Sequence, residues 1–135
     1  MVGKHGARIV KITGERKAEE EIRQTGACEE SVKIMAPKCL FYAVKLEKVR
    51  CPVANILKQE MLSAGGDAAV SEHSVDCSLP TTDVLLMGTV KQYRVVLGKM
   101  RGQGTAIKGK AQYGGKSADY ADLAGEIETV LKSSA

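Results

Sequence analysis

Between Pro52 and the glycine pair Gly65-Gly66, apolar residues return at helical spacing: Val53, Ile56, Leu57, Met61 and Ala64. Proline is tolerated at the first helical position, where its missing N–H has no partner to lose. A glycine ends a helix by taking the left-handed conformation. A helix with one apolar face needs a second layer to bury it, and strand patterns on both sides offer one. Upstream, Leu40, Tyr42, Val44 and Leu46 alternate with Phe41, Ala43, Lys45 and Glu47, which predicts a strand over 40–49 with a polar-leaning far end. Downstream, 83–88 is a short, continuous apolar run that suits a central strand buried on both faces.

The remaining segments fill in around this centre. Ala7-Arg8-Ile9-Val10-Lys11-Ile12 alternates and is β-branched, so it reads as a first strand. Residues 15–24 read as a charged surface helix anchored by Ala18 and Ile22, with Gly26 as its stop. Residues 29–38 show no clear period, and Pro37 ends whatever precedes it. Residues 68–77 read as a third strand, with Ala69, Ser71, His73, Val75 and Cys77 on one side, and 78–82 as a turn. Thr89 and Gln92 have the spacing of a capping box, and Tyr93, Val96, Leu97 and Met100 give the helix after it an apolar stripe. Residues 102–116 hold Gly102, Gly104, Gly109, Gly114 and Gly115 among lysines and glutamines, which predicts a flexible loop. A C-terminal helix is expected over 117–132, with Tyr120, Leu123, Ala124, Ile127, Val130 and Leu131 inward.

The expected order is β-α-β-α-β-β-α-loop-α. It predicts an α+β fold: a single small mixed or antiparallel sheet of about four strands with helices packed on it. A length of 135 residues suits a single domain over 1–135, with 7–101 as its core, and is too short for a (β/α)8 barrel. No apolar run approaches the roughly 18–20 residues of a membrane span, and the first residues carry no signal-peptide apolar region. The expected location is cytoplasmic, without membrane attachment. Cys28, Cys39, Cys51 and Cys77 include no CxxC pair, and in an intracellular chain they read as reduced, mostly buried thiols. On a strand, His73 and Cys77 would sit about 13 Å apart, too far to share one metal. No metal or cofactor is expected.

The chemistry-bearing patterns are sparse. Residues 104–110 match the glycine-lysine part of a phosphate-binding loop, but Ala111 stands where Ser or Thr should hold magnesium, and a helix rather than a strand precedes it. A solvated linker explains them better. There is no Gly-x-Ser-x-Gly elbow, and His5 and His73 have no evident partners, so no catalytic residue is assigned. His5 falls in a frayed terminus, and His73 reads as half-buried on its strand. Asp67, Asp76 and Asp83 fall at strand ends or turns, where Asp caps backbone groups. The helix start at Thr89 and Lys91 could hold a small anion, with Lys58 and Gln59 as possible neighbours. The net charge of +4 leans toward the C-terminal part, yet only Tyr113 and Tyr120 interleave with its lysines and arginines. Nucleic-acid binding is therefore disfavoured.

Three blocks carry a resemblance: Ile34-Met35-Ala36-Pro37-Lys38, then 54–70 (ANILKQEMLSAGGDAAV), then 82–89 (TDVLLMGT). Together they resemble the N-terminal extension domain that precedes the barrel in a subset of bacterial dihydropteroate synthases. The similarity covers about residues 7–101, with a weaker echo over 122–131. Such enzymes join 6-hydroxymethyl-dihydropterin diphosphate to p-aminobenzoate, and that chemistry belongs to the barrel, which this sequence lacks. The resemblance therefore implies a non-catalytic accessory or interaction domain linked to folate and pterin metabolism. The expected partners are a synthase barrel or a second copy in a homo-oligomer. The alternatives are a module binding a small anionic ligand such as a pterin or diphosphate and, more weakly, a nucleic-acid binder. The expected contact surface is Asn55, Lys58, Gln59, Asp67, Thr89 and Lys91.

Overall fold

The alternating and continuous apolar segments find each other across the middle of the chain. The computed structural model describes residues 3–101 and 117–134, the side chains of 117–120 excepted. The expected loop over 102–116, its phosphate-loop look-alike and the inward placement of Tyr120 lie outside the described residues.

Strand β1 (Phe41–Arg50) pairs antiparallel with β3 (Thr81–Thr89), and the short β2 (Asp67–Ala69) pairs with the other side of β3, giving the order β1-β3-β2. Val44 stands opposite Leu86 and Leu46 opposite Val84. The step from Leu46 to Val49 then spans one residue more than the step from Val84 to Thr82. That bulge centres on Lys48, whose φ of 52° is left-handed and whose N–H donates to Asp83 Oδ1 at 3.2 Å. It restores Val49 to the inner face, which is why the polar stretch Glu47-Lys48 does not end the strand.

Five helices are described: α1 (Glu15–Arg23), α2 (Glu29–Met35), α3 (Cys51–Ala64), α4 (Val90–Arg101) and α5 (Ser117–Ser133). The start of α3 carries its proline, and Gly65 closes it with φ 97°. The N–H groups of Gly65 and Gly66 donate to Leu62 and Met61, the Schellman pattern. At α4 the expected capping box forms: Gln92 N–H donates to Thr89 Oγ1 at 3.2 Å, and Thr89 N–H to Gln92 Oε1 at 2.9 Å. The main core joins Val44, Leu46, Val84 and Leu86 of the sheet to Leu57 and Met61 of α3, Tyr93 and Val96 of α4, and Ala124 and Ile127 of α5. A second cluster of Ala18, Ala36, Leu40 and Val90 seats α1 and the turn after α2 at the sheet's end.

The fold is α+β, and its single sheet is antiparallel with three strands, close to the expected four. The expected first strand over 7–12 makes no ladder. Only Ala7 forms a bridge, Ile9 is 99% exposed, and Ile12 packs on the second cluster as the chain turns into α1. Alternation there met no free strand partner, and a strand exists only through its ladder. The expected third strand shrinks to Asp67–Ala69. Beyond it Glu72–Ser74 is a 3-10 turn, opened by Ser71, whose Oγ accepts from His73 N–H. His73 is therefore on an exposed turn and not half-buried on a strand. The central strand is buried on one face only: Val84 and Leu86 are fully enclosed, while Leu85 and Met87 stay partly exposed because the core helices lie on the other side. Val130, expected inward, is 45% exposed. Residues 29–38, unreadable by period, form α2 and a 3-10 turn over Ala36–Lys38.

The cysteines also depart from the reduced, mostly buried thiols expected. Cys51 and Cys77 form a disulfide, and Cys28 and Cys39 are exposed. The turns over 70–80 bring Cys77 back to the start of α3, a meeting that no spacing in the sequence announces. No described helix is long and apolar enough to cross a membrane.

Candidate binding cleft

Beside the stripe of Tyr93, Val96 and Met100, α4 carries a second spacing: Val90, Arg94, Leu97, Gly98 and Arg101. Opposite it stand Leu40 and Tyr42 from the start of β1, Glu15 from α1, and Glu128, Leu131 and Lys132 from α5. Together they enclose a cleft of about 440 Å³. Its floor is apolar, with Leu40, Val90 and Leu97 all buried. Its rim is charged. Arg94 pairs with Glu15 at 3.3 Å, Arg101 pairs with Glu128, and Lys132 pairs with Glu128 at 3.0 Å.

The rim pairs are partly open to water. Arg94 and Arg101 side chains are 54% and 44% exposed, and ion pairs that open to water contribute under about 1 kcal/mol. Gly98 keeps the wall between them open, since a Cβ built there meets nothing within 4 Å. An apolar floor with a few convergent charged groups is the usual form of a small-molecule site.

The six residues expected as a contact surface lie elsewhere and mostly hold the fold. Asn55 Nδ2 donates to the Ser74 carbonyl at 2.7 Å, tethering the turn over 72–74 to α3. Lys58 Nζ donates to the Ala68 carbonyl at 2.6 Å and reaches Asp67 Oδ1 at 3.4 Å. Asp67 Oδ1 also accepts from Ala68 N–H, and these bonds, the backbone one first, hold its carboxyl below the usual carboxylate range. Asp76 and Asp83 likewise accept backbone N–H groups, from Ser78 and Lys48. Gln59 and Lys91 are exposed. At the start of α4, the N–H of Val90 goes to the Leu40 carbonyl and that of Gln92 to Thr89, so protein acceptors already take amides an anion would need.

The cleft escapes a reading of the sequence. The spacing of 90, 94, 97, 98 and 101 is the available signal, masked by the stronger stripe of Tyr93, Val96 and Met100. The meeting of Glu15 with Arg94, 79 residues away, leaves no local trace. Among the described residues no group of three or more His, Cys, Asp or Glu is placed to hold a metal. The exposed His73 ring has Glu72 at 3.6 Å beside it, and the Ser71 and Ser78 hydroxyls bond to the His73 backbone. No family model, curated protein or solved structure matches the chain.

Proposed function

We propose that this chain is a non-catalytic binding domain whose cleft takes a small amphipathic anion: a flat apolar body on Leu40, Tyr42 and Leu97, with a carboxylate or phosphate at Arg94 or Arg101. The cleft itself carries this reading, because it combines an enclosed apolar floor with two arginines held by exposed ion pairs. The resemblance of 34–38, 54–70 and 82–89 to the synthase extension supplies the choice of ligands to try and rests on the sequence alone. p-Aminobenzoate and phosphorylated pterins both have the required shape and charge. A cytoplasmic place belongs to the same reading. There the Cys51–Cys77 bond would be reduced or transient, and trapping thiols at the moment of lysis reads its state.

The test is a calorimetric and thermal-shift titration with p-aminobenzoate, a pterin and inorganic diphosphate. A ligand present at a hundred times its dissociation constant adds about 2.7 kcal/mol to stability. Gly98→Leu puts a side chain at the cleft wall, starting from a Cβ that meets nothing within 4 Å, and has better helix propensity. It should fold as well as the parent and lose the shift. Binding that survives in Gly98→Leu would place the ligand elsewhere, and the absence of any saturable shift would remove the reading.

A further inference from the structure

The sheet has a second face that no described element covers. Along β1 it carries Phe41, Ala43 and Lys45, along β3 Asp83, Leu85, Met87 and Thr89, and along β2 Asp67 and Ala69. The register fixes their arrangement: Ala43, Met87 and Asp67 form one row across the strands, and Lys45, Leu85 and Ala69 the next. Within these two rows Lys45 and Asp67 sit at diagonal corners around Leu85 and Met87, and Asp83 follows Leu85 along β3. Strands lie about 4.8 Å apart and same-face neighbours about 6.8 Å apart, which separates the Lys45 and Asp67 backbones by roughly 12 Å, centred between Leu85 and Met87.

We propose that this face binds the same face of a second copy of the chain. A two-fold axis requires that if one residue meets another, the second also meets the first. An axis lying in the face, perpendicular to the Lys45–Asp67 line, meets that condition. It carries Lys45 of each copy onto Asp67 of the other. It also gathers Leu85 and Met87 of both copies beside the axis. Ala43 and Ala69 fall within about 2 Å of it, as Leu85 and Met87 do. The strands then cross at about 70°, close to the orthogonal class of sheet packing. Both described bonds to the Asp67 carboxylate fall on Oδ1, which leaves Oδ2 for the lysine of the other copy. The face offers fewer residues than the roughly 20–30 a side of a standard interface. The association is therefore weak and concentration-dependent.

Sedimentation velocity from 10 µM to 1 mM tests this, with circular dichroism on every variant to establish folding. The parent should shift reversibly from monomer to dimer across that range. Met87→Lys and Lys45→Glu should each weaken association at least tenfold, and Gly98→Leu should leave it unchanged. A parent that stays monomeric at 1 mM overturns the proposal. So does a dimer that persists in folded Met87→Lys and Lys45→Glu proteins. Further aggregation beyond a dimer would also overturn it, because a two-fold contact closes on itself.

Discussion

Tyr93 is the largest side chain enclosed in the core, and its hydroxyl donates to the Tyr42 carbonyl at 2.7 Å. Burial pushes its pKa up to about 12, with the Val44 backbone acting the other way. The sign follows from linkage: a raised pKa means the unfolded chain gives up its proton first. The stabilisation is therefore complete below pH 10 and is lost as pH rises toward 12, at no more than about 1.4 kcal/mol per pH unit. Urea unfolding from pH 9 to 12 should show this slope, and Tyr93→Phe should flatten it. Tyr93→Phe also leaves the Tyr42 carbonyl without its donor, so at pH 8 it should lower stability by about 1 kcal/mol.

Where α3 hands over to β2, the helix end comes close to the strand beyond. A Cβ on Gly66 would stand 2.6 Å from the Met87 carbonyl and 3.0 Å from the end of the Met61 side chain. The methionine can move, but the strand carbonyl belongs to the sheet. Gly66→Ala should therefore cost about 1–3 kcal/mol, measured by chemical denaturation. The elements α3, α4 and β1 are legible in the sequence because each pattern is local: a stop at Gly65, a capping box at Thr89, alternation over 41–47. The same local signals fail at 7–12 and 70–77. Alternation at 7–12 cannot report whether a free partner strand exists. The segment around Ser71 yields to turns tied by its hydroxyl and by Thr82 Oγ1, which accepts from Ser71 N–H at 2.9 Å.

At the scale of the whole molecule, the 70–80 segment is fastened at three points. The Cys51–Cys77 disulfide, the Asn55 tether to Ser74 and the Cys51 N–H bond to the Pro80 carbonyl all lead back to α3. With its cysteines 26 residues apart, the disulfide should contribute about 3.5 kcal/mol by the loop-closure model. Reduction by a dithiol should lower the melting temperature by roughly 10–15 °C and open 70–80 to proteolysis. A protein whose melting is unchanged on reduction would show that the other two fastenings suffice.

Sequence alone determined the α+β class, the helix over 51–64, the two long strands and the capped start of α4, because period, proline, glycine and capping pairs act within a few residues. Tertiary structure decided the rest. It set the number of strands, the open outer face of the sheet, the pairing of Cys51 with Cys77, and a cleft that joins Glu15, Arg94 and Glu128. Each of these depends on contacts between residues far apart in the chain, and such contacts are fixed by packing geometry, not by any local pattern.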